Sequence, residues 1–139
     1  MIKIGWCQEQ LGWGLVLFWK NSIKLDVVDS HRYYIDEIIN GYKEDEWRYI
    51  GFYGEPETAR RNEAWEKLRM LNQSKNKPWL CVGDFNKIIG QDENLGGALR
   101  IYNQMQLFRE AINECSFMDL GFIGSKYTWS KHFDNGVSI

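Results

Sequence analysis

The sequence contains few of the residues that build disulfide frameworks and zinc sites. Only three of its 139 residues are cysteines and two are histidines. Cys7, Cys81 and Cys115 are odd in number and far apart, and no C-x-x-C pair occurs. This spacing disfavours a structural zinc site. It favours three reduced thiols in an intracellular protein, without indicating a compartment.

Long apolar runs and an excess of basic charge are also missing. No run approaches the ~18 apolar residues that indicate a membrane span. The first nineteen residues include Gln8 and Glu9 and only one basic residue, Lys3, so we predict no signal peptide. The net charge of -2 and the pI near 5.7 argue against a protein that coats nucleic acid. They do not exclude a nuclease that gathers basic side chains and a metal in one groove.

What is present favours one packed domain over residues 1–139, because 44% of the residues are hydrophobic and 15% aromatic. Residues 1–10 are weakly patterned, and glycines 12 and 14 predict a turn. Alternating strands joined by short polar loops predict an antiparallel meander. Predicted strands cover residues 14–19, 25–29, 33–39, 47–53, 79–82 and 127–129, and predicted helices cover residues 57–72 and 101–115.

The stretch from Pro78 to Asn86 organises the rest of the chain. Residues 79–82 form a continuous apolar run, typical of a strand covered on both faces. Gly83 allows a bend or a close backbone approach. On extended backbone Asp84 and Asn86 point the same way, and Phe85 points into the core. A carboxylate beside a carboxamide can orient water and bind phosphate, although Asp and Asn after Gly also commonly cap a turn.

Two other features have a functional and a structural interpretation. Gly12-x-Gly14 lacks the later glycine of a dinucleotide-binding loop, so a nucleotide cofactor is disfavoured. Arg60 and Arg61 could contact a phosphate backbone. They also fit the solvated face of an amphipathic helix whose apolar stripe contains Trp65, and the pattern favours the solvated face.

Four blocks in order resemble the endonuclease/exonuclease/phosphatase (DNase I-like) family, and most of all the endonuclease domain of plant LINE-type (non-LTR) retrotransposons. The blocks are residues 14–20, residues 47–56 with Arg61, residues 78–86 with their Gly-Asp-Phe-Asn, and residues 108–130. The resemblance implies an α/β (α+β) fold: a four-layer α/β sandwich, mainly antiparallel, with flanking helices.

The resemblance also implies a chemistry, the hydrolysis of a DNA phosphodiester assisted by Mg²⁺ (or Mn²⁺). Asp84 would orient or deprotonate the attacking water, and Asn86 would hold the phosphate or the aspartate network. Tyr53, in Tyr-Gly-Glu-Pro, would place its hydroxyl on a non-bridging phosphate oxygen. DNA would be the partner, and the nucleus would fit as the compartment.

Several family residues have no counterpart in this sequence. No Asn precedes Gly14, and Glu9 has the wrong context for the metal-binding glutamate. Asp29-Ser30-His31 does not match the family's Ser-Asp-His, and His132 is followed by Phe133. We therefore expect a partial domain that lacks both ends, with unassigned metal ligands and open sheet edges available for self-association.

Three functions follow as expectations. The first is a metal-dependent phosphodiester hydrolase of retrotransposon origin that is catalytically incomplete. The second is a non-catalytic relic or a weak nucleic-acid-binding or protein-binding module. The third is an unrelated α/β binding domain, in which Tyr53, Asp84 and Asn86 would not converge.

Overall fold

The computed structural model describes residues 1–9, 12–73, 77–95, 101–121 and 123–125, with the backbone alone for 4–9 and 12–14. It is a mixed α+β structure. The strands are β1 (Ile2–Glu9), β2 (Gly12–Trp19), β3 (Leu25–His31), β4 (Tyr34–Ile39), β5 (Trp47–Tyr53) and β6 (Trp79–Asp84), and the helices are α1 (Arg61–Gln73) and α2 (Tyr102–Glu114). Short 3₁₀ turns cover Thr58–Arg60 and Gln91–Glu93.

The chain divides into two compact units, Met1–Asn86 and Lys87–Ile139. A single domain over the whole chain stays a prediction. No helix within the described ranges is long and apolar enough to cross a membrane.

The first unit contains two sheets. β1 and β2 form an antiparallel hairpin in which Ile2 pairs with Trp19 and Glu9 with Gly12. Strands β3, β4 and β5 form the predicted antiparallel meander. The turn predicted at Gly12 and Gly14 is wrong, because both glycines are paired within β2. Cross-strand hydrogen bonding has overridden the local preference of glycine there, and the weakly patterned start of the chain forms a strand for the same reason.

The fourth strand of the larger sheet, β6, runs parallel to β5, and the strand order is β3-β4-β5-β6. A parallel connection needs a crossover, and α1 provides it. The prediction that β6 is covered on both faces is wrong. Its first three residues are half-buried and the last three are exposed, because β6 is the outermost strand of the sheet that the described residues form.

Helix α1 covers one face of the larger sheet. Its buried residues are Ala64, Trp65, Leu68 and Leu71, which include the predicted stripe. Trp65 stacks on Phe52 of β5, with ring centroids 6.4 Å apart. Arg48 of β5 is buried on this face as well. It donates to both carboxylate oxygens of Asp36, at 2.7 and 2.5 Å, and to the Leu71 carbonyl oxygen at 2.7 Å.

The β1–β2 hairpin faces the other side of the larger sheet. Leu15, Leu17 and Trp19 of β2 line an open groove together with Val27 and Ile35 of the larger sheet. At this edge, Val27 and Val28 of β3 are 53% and 61% exposed. Self-association through this or another sheet edge stays a prediction.

The second unit contains α2, close to the predicted helix. Its buried residues are Met105, Phe108 and Ala111, followed by buried Cys115 just after the helix, while Ile112 is only half-buried. The loop before α2 is attached to it by Lys87 Nζ, which donates to Gln104 Oε1 at 2.8 Å. The strand predicted at residues 127–129 and His132 lie outside the described residues.

Candidate functional site

The carboxyl ends of β5 and β6 bring two of the three predicted site residues side by side. Tyr53 and Asp84 are register partners in the parallel ladder, and the Gly54 amide donates to the Asp84 carbonyl oxygen at 2.7 Å. Because α1 makes β5 and β6 parallel, both strands end at the same edge of the sheet. In α/β sheets such edges are the usual place for ligands.

Two glycines allow the chain to close up at this edge. A Cβ at Gly83 would lie 1.8 Å from the Phe52 carbonyl oxygen, and a Cβ at Gly54 would lie 2.1 Å from the Phe85 carbonyl oxygen. Gly83 also has φ +153°, a conformation that favours glycine. The close approach predicted at Gly83 is therefore confirmed. Phe85 stacks on Phe52 with ring centroids 5.3 Å apart, which anchors the turn after β6.

Asn86 completes the group through hydrogen bonds. Its backbone amide donates to Asp84 Oδ1 at 2.7 Å, and its side-chain Nδ2 donates to the Gly54 carbonyl oxygen at 2.6 Å. The extended backbone assumed for this pair is wrong, because Asn86 has φ 51°. A tight turn brings Asp84 and Asn86 together. Asp84 therefore does cap a turn, as the structural interpretation predicted, and it does so with the same carboxylate that belongs to the candidate site.

The three side chains differ in exposure and in their remaining hydrogen-bonding capacity. Asp84 is exposed, and Tyr53 and Asn86 are half-buried. One Asp84 oxygen and the Asn86 Nδ2 are engaged in the turn. Within the described part of the chain, Asp84 Oδ2 and Asn86 Oδ1 have no hydrogen-bond partner. These two oxygens can accept protons from water or accept a cation at the surface.

A buried carboxylate next to this edge was not assigned a role from the sequence. Glu55, two residues after Tyr53, is only 4% exposed. Its Oε2 accepts from Tyr33 Oη at 2.9 Å and pairs with Arg32 at 3.0 Å, and its Oε1 accepts from the Glu57 amide at 3.1 Å. This network fixes the turn between β5 and α1. The sequence did contain one signal for this role. Glu55 is an acidic residue just before the first helical turn, and the backbone amides that begin a helix need hydrogen-bond acceptors.

The same network shifts two pKa values. Burial by itself would raise the pKa of Glu55, but the hydrogen bonds from the Glu57 amide and Tyr33 and the charge of Arg32 lower it overall. The pKa of Tyr33 is raised to about 12, first by burial and then by its hydrogen bonds to Glu55 and Glu63. At neutral pH Glu55 is therefore ionised and Tyr33 is neutral, as they ordinarily are. The network supports the structure, and its pKa values do not indicate a proton-transfer role.

Arg60 and Arg61 take part in intramolecular contacts. Arg60 pairs with Glu63 at 3.3 Å. Arg61 donates to the carbonyl oxygens of Glu55 and Pro56, at 3.2 and 2.8 Å. The structural interpretation is therefore the one the geometry favours, although Arg61 secures the turn and does not simply lie on a solvated face.

The residues at this edge do not form a complete metal site. The described residues contain no group of three His, Cys, Asp or Glu side chains that could hold a metal ion. Mg²⁺ is commonly held by one or two carboxylates plus the phosphates of a substrate. Asp84 offers one carboxylate oxygen, and both oxygens of Glu55 are already engaged. The donor set does not fit a resident Mg²⁺.

Comparison with known proteins adds no family to this geometry. No family model matches the chain, and no curated protein matches it.

Proposed function

We propose that the ends of β5 and β6 are the remnant of a Mg²⁺-dependent phosphodiesterase site of retrotransposon endonuclease type, and that this chain is catalytically incomplete. The observation that carries the proposal is the convergence of Tyr53, Asp84 and Asn86. Tyr53 is 31 positions before Asp84 in the sequence, but the two are register partners in the β5–β6 ladder, and Asn86, two positions after Asp84, is hydrogen-bonded to Gly54.

The proposed roles of Asp84 and Asn86 follow from the carboxylate and amide oxygens that the turn leaves available, and the role of Tyr53 follows from the motif. Asp84 Oδ2 would accept a hydrogen bond from a water molecule and orient it. Asn86 is held to the Gly54 carbonyl oxygen through Nδ2, at 2.6 Å, so its Oδ1 would face outward as an acceptor. Tyr53 would donate its hydroxyl hydrogen to a phosphate oxygen. Metal bound together with the phosphate would supply charge neutralisation that these three residues lack.

Low turnover is expected from the same donor set. Removal of one group that stabilises transition-state charge typically costs ~10²–10³ in kcat. The neighbouring Glu55 has both carboxylate oxygens engaged, and the described residues contain no group of three side chains that could hold a metal ion beside Asp84. Binding of a phosphate with a divalent cation should therefore persist better than cleavage.

Nuclear magnetic resonance with a short DNA oligonucleotide and Mn²⁺ tests the binding half of the proposal. We expect paramagnetic broadening of the amides of Gly54, Asp84 and Asn86 when both ligands are present. Asp84→Asn should remove it. Asp119→Asn is the matched control, because Asp119 is exposed and accepts from the Gly121 amide in a similar turn, at 2.8 Å. Broadening that is unaffected by Asp84→Asn would overturn the proposed site.

A supercoiled-plasmid nicking assay with Mg²⁺ tests the catalytic half. We expect at most slow nicking by the wild-type protein, and none by Asp84→Ala. Rapid nicking that Asp84→Ala abolishes would mean that the site is complete, and the claim of incompleteness would fail. Absence of both nicking and cation-dependent DNA binding would favour the alternative, a relic without a phosphate site.

A further inference from the structure

Glu37 lies in the middle of β4 and is completely buried. Its exposed fraction is 0%, and neither of its carboxylate oxygens has a hydrogen-bond partner in the part of the chain that the structure describes. Neighbouring Asp36 points to the opposite face and is bound by Arg48. Glu37 therefore lies on the face turned away from α1, toward the β1–β2 hairpin.

Most of the described side chains around Glu37 are apolar, although the ionisable His31 and Arg32 also line the groove on this face. Its cross-strand partners are Val27 of β3 and Tyr49 of β5. Ile35 and Ile39 occupy the same face of β4, because side chains alternate along a strand. Opposite them, β2 contributes Leu15 and Leu17, which line the groove with Ile35 and Val27.

No favourable charge compensates this carboxyl group among the described side chains. Burial, and after it the negative charge of Asp36, raise the pKa of Glu37 to about 8. Tyr49 is the titratable group that faces it from β5, and the pKa of Tyr49 is itself raised, first by burial and then by Glu37 and Cys81. The described β2 side chains near the groove, Leu15 and Leu17, carry no charge.

A buried carboxylate without partners is costly in its ionised form. Either the group keeps its proton or water must reach it. A groove on this face is open to solvent, and its lining includes Trp19 of β2 and Val27 of β3. Movement of the hairpin away from the sheet at this edge would admit water to Glu37 without breaking the ladder of β3 to β6.

We propose that Glu37 is a pH-sensitive latch: its protonated form lets the β1–β2 hairpin close over the sheet, and its ionisation opens the space between the two sheets. The inference does not depend on the phosphodiesterase proposal, since Glu37 is not among the residues of the candidate site.

The direction of the effect follows from the raised pKa. The folded pKa of about 8 is above the ordinary value of 4.5. The closed state is therefore fully favoured below the ordinary value and loses its advantage as the pH rises toward 8. Between those two values the closed-to-open ratio should fall by at most ~10-fold for each pH unit.

Methyl-group NMR with a soluble paramagnetic chelate tests the latch on the full chain. We expect solvent relaxation enhancement at the Ile35 and Ile39 methyl groups to rise severalfold between pH 6 and pH 9, with a midpoint near 8. The methyl groups of Leu68 and Leu71, on α1, should not change.

Variants at Glu37 distinguish the proposed latch from a general loosening of the protein at high pH. Glu37→Gln and the apolar Glu37→Met should both hold the pH 6 pattern up to pH 9, so a folding defect in one variant leaves the other informative. Glu44→Gln, at an exposed loop position, is the matched control and should behave as wild type. The proposal is overturned if wild type shows no change, if α1 methyl groups change equally, or if the Glu37 variants retain the transition.

Discussion

The buried ion pair between Arg48 and Asp36 gives the most direct test of how the first unit is held together. Arg48 is 7% exposed and Asp36 is 4% exposed. Two hydrogen bonds join them, and a third links Arg48 to the Leu71 carbonyl oxygen. The Arg48 guanidinium also lies 5.9 Å from the centre of the Trp79 ring. One side chain therefore connects β4, β5, β6 and α1.

We predict that Arg48→Met lowers the free energy of unfolding by about 3–5 kcal/mol, because it leaves the Asp36 carboxylate buried and unpaired. A typical domain has only about 5–15 kcal/mol in total. The double variant Arg48→Met with Asp36→Leu should recover much of the loss, since replacing both members of a buried pair by apolar residues is often close to neutral.

Urea unfolding at pH 7, followed by circular dichroism and tryptophan fluorescence, measures both changes. The matched control is Arg60→Met. Arg60 pairs with Glu63 at 3.3 Å, but the two side chains are 41% and 54% exposed, so this pair should contribute about 0–1 kcal/mol. Equal losses for Arg48→Met and Arg60→Met, or a double variant no more stable than Arg48→Met, would refute the reasoning.

Three further predictions concern the edge near the candidate site. Gly83→Ala should lower the free energy of unfolding by more than the ~1–3 kcal/mol of backbone strain alone, because its Cβ would also clash with the Phe52 carbonyl oxygen. Gly121 has a positive φ of 72° as well, but a Cβ there meets nothing within 4 Å, so Gly121→Ala should show the strain without the clash; thermal unfolding compares them. Tyr33→Phe should cost ~1–3 kcal/mol in urea unfolding, because Glu55 and Glu63 lose a shared donor. The lowered pKa of Glu55 means that its stabilisation is present above the ordinary value of 4.5 and is lost as the pH falls through the folded value; Glu55→Gln should flatten that acid limb, and an unchanged limb would contradict the assignment.

Local pattern predicted much of the first unit correctly. The strand at Trp47–Tyr53 matches its predicted bounds, and α1 buries the predicted Trp65 stripe. These elements have strong periodicity, and their periodic residues pack in the core. The same reasoning failed at Gly12 and Gly14, where hairpin pairing decided the conformation. It also failed for β6, whose apolar run does not reveal that the strand is outermost.

Some features of the candidate site could likewise be predicted from local sequence, and others could not. The close approach at Gly83 and the turn contact of Asp84 could be predicted from four consecutive residues, while the chemistry of Asp84 and Asn86 stays a prediction. The support from Glu55 could not, because it depends on Tyr33 and Arg32, more than twenty positions earlier in the chain. The Glu37 anomaly was visible only as an acidic residue between Ile35 and Ile39 on one strand face, and its burial depends on the hairpin.

The sequence by itself determined most of the extended and helical segments after Gly14, because those conformations depend on neighbours within a few positions. Tertiary structure alone decided that β5 and β6 run parallel and end together, which places Tyr53 beside Asp84. It also decided that Glu37 is enclosed between two sheets while Asp36 finds Arg48. Pairing and burial depend on segments far apart in the chain, so no local pattern specifies them.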